Sequence, residues 1–123
     1  MEKITVLLVD DHHLFRKGLA GLLEKDPGIK VVGEAENGLE AVKSAQALRP
    51  DIVLMDVHMP VCDGLEATRI LRRELPQSRV VMLTVSDEDD DLFQAIKAGA
   101  QGYLLKNLYP EELSVLLRGV MNA

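Results

Sequence analysis

Apolar runs of strand length recur along the chain, each followed by a segment whose apolar residues return every three or four positions. Ile4–Val9 (ITVLLV) opens the series and is almost continuously apolar, as a strand covered on both faces must be. Leu14 and Phe15, Leu19, then Leu22 and Leu23 predict an amphipathic helix that Pro27-Gly28 ends. Residues 30–35 form a shorter, weaker strand suited to a sheet edge, and Asn37-Gly38 turns the chain into a helix carrying Leu39, Val42, Ala45 and Leu48. Residues 52–55 are a third strand, followed by a helix marked by Leu65, Ile70, Leu71 and Leu75 that stops before Pro76. Residues 80–83 are a fourth, followed by a helix marked by Leu92, Phe93 and Ile96 and closed by Gly99. A strand over 102–105 and a helix with Leu113, Leu116 and Leu117 inward, continued by Val120 and Met121, complete the series. Five βα units with short connections predict one α/β domain with a single parallel sheet between helix layers.

Polar residues stand where four of these strands end: Asp10 and Asp11, Asp56, Thr84 and Lys106. In open α/β sheets ligands bind beyond the carboxyl ends of the strands, so residues far apart in sequence are expected to meet at one rim. Three clustered carboxylates repel and raise one another's pKa unless a cation joins them. An all-oxygen set with water suits Mg²⁺, with Mn²⁺ as the alternative. A lysine facing the same crevice would pair with a carboxylate at rest and with an anionic oxygen when one arrives. Carboxylates, a hydroxyl and an ammonium are the parts that move a phosphoryl group onto an aspartate. The end of a rigid strand aims such a nucleophile, which must also stay open to a large donor.

Composition narrows this picture. The 123 residues allow one domain, and 47 % hydrophobic content with 3 % aromatic and no Trp predicts an aliphatic core. The net charge of −6 argues against direct nucleic-acid binding. Cys62 is the only cysteine, which excludes an internal disulfide, fits a reducing compartment and reads as a bystander thiol. The absence of a span-length apolar stretch and of a signal peptide points to a cytoplasmic protein without membrane association.

The site residues and their surroundings resemble the receiver domain of bacterial two-component response regulators, over essentially the whole chain. The likeness is carried by LLVDDHHLFRKGL, DIVLMDVHMPVCDGLEATR, VVMLTVS and GAQGYLLK, in that order. DDHHLFRKGL and GAQGYLLK are most similar to the NarL/FixJ subfamily. The resemblance implies a doubly wound (βα)5 flavodoxin-like fold with strand order 2-1-3-4-5 and a receiver domain over residues 1–123. It implies a phosphoacceptor signalling module that catalyses only its own phosphorylation and dephosphorylation. Asp56 would take the phosphoryl group from a sensor histidine kinase. Asp11, Asp56 and the backbone carbonyl of His58 would bind Mg²⁺ directly, with Asp10 acting mainly through water. Thr84 and Lys106 would hold the phosphoryl oxygens. Thr84 and Tyr103, the latter as an aromatic switch, would pass the change to the face of the fourth helix, fifth strand and fifth helix. Full-length members of the subfamily usually carry a C-terminal helix-turn-helix DNA-binding domain controlling transcription. That domain is expected to be absent from this chain, and phosphorylation is expected to favour a homodimer. Asn107 departs from the family, which often has proline there after a cis peptide; a cis bond before a non-proline residue costs about 2.5–4 kcal/mol.

Other features have plainer readings. His12 and His13 are expected to begin the first helix rather than to ligate metal, because adjacent helical residues point apart. Residues 86–91 (SDEDDD) read as a capped helix start with Ser86 as the cap and acids at the dipole's positive end. Met55, Met59 and Met82 fill core gaps. Pro60 and Gly64 shape the loop after Asp56, and His58 could modulate water access to an acyl phosphate there. The outer face of the last helix is left to bind another copy or an output domain. A phosphatase would want an acid at position 58, where histidine stands. A flavodoxin-like cofactor binder would want a phosphate-cradling loop after the first strand, where Asp10-Asp11 would repel phosphate.

Overall fold

The computed structural model describes residues 3–57, 59, 62–84, 89–106 and 110–122. Strands β1 (Ile4–Val9), β2 (Ile29–Ala35), β3 (Ile52–Asp56), β4 (Arg79–Thr84) and β5 (Gly102–Leu105) alternate with helices α1 (His13–Glu24), α2 (Gly38–Leu48), α3 (Gly64–Glu74), α4 (Asp89–Ala98) and α5 (Pro110–Asn122). All strand pairs are parallel and the sheet order is β2-β1-β3-β4-β5, as expected. His58, Pro60, Ser86 and Asn107, with the expectations placed on them, lie outside the described residues.

Strand periodicity divides the core in two. Leu7, Val9, Val53, Met55, Val80 and Met82 point to one face and pack with Ala41, Val42, Ala45, Ala67, Leu71 and Ala95 of α2, α3 and α4. Their neighbours Val6, Leu8, Ile52, Leu54, Val81 and Leu83 point to the other and meet Leu23 of α1 with Leu113 and Leu117 of α5. Both faces of β3 are therefore buried along its whole length, which is why its sequence does not alternate. Asn37 and Asp63 start α2 and α3 by accepting the backbone N–H of Glu40 and Glu66. Gly99 ends α4 at φ +104°, a conformation natural only to glycine.

Several large apolar residues face outward instead. Leu14 is 87 % exposed, and on α4 Phe93 and Ile96 are 58 % and 62 % exposed while Ala95 and Ala98 make the core contact. Leu116, expected inward, is 40 % exposed. Leu113 and Leu117, four residues apart, define the stripe of α5 that meets the sheet, and Leu116 falls on its flank.

The rim at the N-terminal ends of the strands is stitched by polar groups. The Asp51 carboxylate accepts from both the N–H (2.9 Å) and the hydroxyl (3.1 Å) of Thr5, whose hydroxyl oxygen in turn accepts the Asp51 N–H at 2.9 Å. Ser78 donates to the Pro50 carbonyl, and the Val80 N–H donates to the Gln101 side chain. Asp26 at the same rim accepts the Gly28 N–H and pairs with Arg118 of α5. The Gly28 N–H first, then Arg118, hold the Asp26 carboxyl below its usual range. A carboxyl depressed in the folded state stabilises the fold above its unfolded pKa and loses that contribution as pH falls through its folded pKa. Asp26→Asn is accordingly expected to lower the melting temperature at neutral pH. The deficit should shrink as the medium is taken below the ordinary carboxyl value of 3.8. Thermal melts of both proteins across acid pH check this; a deficit of constant size would assign the effect to packing.

Candidate functional site

The strand register brings the expected residues to the opposite rim. Val9 lies beside Met55, so Asp10 follows on one strand where Asp56 ends its neighbour. Asp56 pairs with Leu83, just before Thr84, and Thr84 pairs with Leu105, just before Lys106. The Lys106 N–H donates to the Thr84 carbonyl at 2.7 Å, fixing where the lysine leaves the sheet. Asp10, Asp11, Asp56, Thr84 and Lys106 thus converge at the point between β1 and β3 where the strand order reverses.

At this rim the Lys106 ammonium lies 2.7 Å from Asp10 Oδ2 and 3.5 Å from Asp56 Oδ2. Its Nζ also stands 4.6 Å above the Phe15 ring, an additional attraction for a cation. The lysine therefore pairs at rest, as its place in the sequence predicts. Asp56 is less open than its place at a strand end suggests: it is 5 % exposed, and Lys106 partners the charge so buried. Thr84 is fully buried. Tyr103 is half-buried, packs against the α2–α3–α4 side of the core and lines a hollow with Leu92, Ala95 and Ile96.

His12 departs from its expected place. It is the residue before α1, and its Nδ1 turns back to the acids, 3.0 Å from Asp10 Oδ1 and 3.3 Å from Asp11 Oδ1. Adjacent helical residues do point apart, but His12 has extended backbone (φ −87°, ψ 98°), so that rule does not govern it. Asp10, Asp11, His12 and Asp56 each offer one donor atom, all within 4.8 Å of one another. This carboxylate-rich set has the hard oxygen chemistry that Mg²⁺ takes.

Arg16 is a second residue that sequence pattern missed. Buried on α1, it donates to the Asp10 carbonyl at 2.6 Å and to Glu34 of β2 at 2.8 Å. Lys17 joins Glu34 at 2.9 Å. Burial alone would push the Glu34 carboxyl up, but the bonds from Lys17 and Arg16 outweigh it and hold the group below its ordinary value. The backbone that carries the two acids is thereby tied to the edge strand. The signal in the sequence was a basic residue three positions after His13, on the same side of α1 as Leu23.

Gly64 approaches the backbone of Asp56 and Val57 closely. The Gly64 N–H donates to the Val57 carbonyl at 2.9 Å, and a Cβ on Gly64 would stand 2.2 Å from the Asp56 carbonyl oxygen. Gly64→Ala must displace that backbone, a cost of about 1–3 kcal/mol for overpacking. A lower melting temperature is expected; a variant that melts with the parent would show that the backbone there yields freely. Cys62 sits in the same loop, its thiol pushed up by burial, then by Glu66 and Asp63, so it is no ready nucleophile.

A sequence profile of the response regulator receiver domain matches residues 6–118. The chain belongs to that family. This receiver domain is 44 % identical over 112 residues to the nitrate/nitrite response regulator NarL of Escherichia coli K12, covering 91 % of this chain and 52 % of NarL. It is 45 % identical over 115 residues to the transcriptional regulatory protein LiaR of Bacillus subtilis 168, covering 94 % and 54 %. The receiver domain thus spans about half the length of these relatives. Its backbone matches the signal receiver domain of the response regulator NarL from Mycobacterium tuberculosis with a TM-score of 0.95 at 35 % identity, over 100 % of this chain and 99 % of that one. The expected family and its NarL-type character are therefore found. Among the described residues, no helix is long and apolar enough to cross a membrane.

Proposed function

We propose that this receiver domain is a phosphorylation-controlled switch in which Asp56 accepts a phosphoryl group from a phosphohistidine of a sensor kinase. The P–N bond of the donor breaks as a bond forms from an Asp56 carboxylate oxygen to phosphorus, and the electron pair of the broken bond returns to the imidazole. The observation that carries the reading is the Lys106 ammonium between Asp10 and Asp56, already placed where negative oxygens would gather. On arrival of the phosphoryl group, Lys106 exchanges a carboxylate partner for a phosphoryl oxygen, and the buried Thr84 hydroxyl donates to another. Asp10, Asp11, Asp56 and the backbone carbonyl of His58 would hold Mg²⁺, with Asp10 acting mainly through water. When bound, the ion offsets the charge gathered on the carboxylates and the transferred group.

The output follows from the same residues. Thr84 ends β4, and Tyr103 lies one strand away under α4. A shift of Thr84 toward the phosphoryl group opens space that Tyr103 enters, changing the face formed by α4, β5 and α5. That face already exposes Leu92, Phe93, Ile96, Val115 and Leu116, apolar area suited to a partner surface. By likeness to NarL and LiaR, the controlled output is transcription through a C-terminal helix-turn-helix domain, with homodimer formation on phosphorylation and a cytoplasmic location. The receiver domain turns over no separate substrate.

Incubation with acetyl phosphate and Mg²⁺ followed by intact mass measurement tests the reading: one added phosphoryl group is expected. Beryllofluoride with Mg²⁺ should move amide NMR resonances of Tyr103 and of α4 and α5 as well as those near Asp56. Shifts confined to the surroundings of Asp56 would remove the proposed path.

A further inference from the structure

Resting on the reading of the acidic rim as a divalent-cation site, we propose that His12 supplies a nitrogen ligand there and turns the site toward borderline first-row cations such as Zn²⁺ and Co²⁺. Its Nδ1 lies within hydrogen-bond reach of carboxylates on two successive residues and within the same compact donor set as Asp56. The side chain is 68 % exposed and makes no helix-capping bond, and its ion-pair contacts among the described residues are with Asp10 and Asp11. What fixes it is the backbone, since the His12 N–H donates to Asp10 Oδ1 at 2.8 Å and holds the residue over the rim. The next imidazole, His13, turns instead to Arg16 at 3.2 Å, so the two histidines are distinguished by placement rather than by type.

A nitrogen donor changes which ion the rim prefers. Mg²⁺ takes oxygen ligands, keeps its waters and gains nothing from an imidazole. Zn²⁺ and Co²⁺ take imidazole readily, and both stand above Mn²⁺ in the affinity order for nitrogen-containing sites. Three carboxylates alone suit the hard ion; three carboxylates with His12 suit the softer ones.

Calorimetric titration of the untagged protein with Mg²⁺ and with Zn²⁺, at one pH and ionic strength, tests this in the parent, His12→Ala and His13→Ala. His12→Ala should weaken Zn²⁺ binding by on the order of tenfold or more. It should change Mg²⁺ binding by less than about threefold, as expected of an oxygen-seeking ion. His13→Ala should follow the parent for both ions. His12→Asn, whose side chain is a better helix N-cap, guards against a loss caused by a frayed α1. In ¹⁵N-histidine-labelled protein the Nδ1 resonance of His12 should move with Zn²⁺ and stay with Mg²⁺. Unchanged Zn²⁺ affinity in His12→Ala, or equal losses for both ions, would reduce His12 to a hydrogen-bond partner of the acids and overturn the proposal. Zn²⁺ binding through His12 in a parent that takes up no phosphoryl group would keep this inference and remove the phosphoacceptor reading. Normal phosphorylation with no His12 dependence would do the reverse.

Discussion

Asp56→Asn is expected to take up no phosphoryl group from acetyl phosphate and Mg²⁺ while the parent takes up one. The amide keeps the shape of the carboxylate but not the nucleophilic oxygen, so the loss should be complete rather than graded. Folding should survive the change, because the closer partner of Lys106 is Asp10, at 2.7 Å against 3.5 Å for Asp56. Removing one of three clustered carboxylates also relieves repulsion, so the variant should melt no lower than the parent. Phosphoryl uptake by Asp56→Asn would point to Asp10 or Asp11 as the acceptor; an unphosphorylated but unfolded variant would show that Asp56 is chiefly structural. Circular dichroism alongside the mass measurement separates the two.

Lys106→Ala is expected to be the most destabilising change at the rim. Its side chain is 10 % exposed and both carboxylate partners are 6 % exposed, so its loss strands negative charge away from water. Removing one member of a buried pair costs about 3–5 kcal/mol, and partial access of water at the rim places this case near the lower figure. The loss should show in urea melts without divalent ions and be recovered in part by Mg²⁺. Lys106→Met retains an apolar stem against Phe15, so a smaller loss in Met than in Ala would measure the packing share. Identical melts for parent and both variants would show that the pair contributes nothing. On the proposed function, phosphorylation should slow in each variant, since the ammonium proposed to meet the phosphoryl oxygens is gone.

The inner strands β1, β3 and β4 were the most readable part of the sequence because each is covered on two sides and reads as a nearly unbroken apolar run. Asp10, Asp56, Thr84 and Lys106 were readable for a related reason: a polar residue ending such a run has only the rim to occupy. Helix orientation was less legible. On α4 the buried apolar side chains among the described ones are Ala95 and Ala98, so Leu92, Phe93 and Ile96 set a correct period but point outward. Small residues let a helix lie close, and hydropathy weights them too little to locate the buried side. His12 and Arg16 were illegible for a different reason. Their roles depend on how the chain bends between Asp10 and α1 and on the neighbouring strand carrying Glu34, and neither is encoded in local periodicity.

The two rims of the sheet are put to opposite uses. Around Thr5, Asp51, Ser78 and Gln101 the polar groups bond to one another across adjacent strands. Around Asp10, Asp56 and Lys106 they are gathered in like-charged excess, three carboxylates to one ammonium among the described residues. The sheet thus resembles a reed clamped at one end: the fastened edge preserves registry while the charged tips are the place where an incoming group can do mechanical work. Amide exchange within the sheet should accordingly be slowest beside the clamp, and the proposed phosphorylation should alter it at the tips and the α4–β5–α5 face while leaving the clamp unchanged.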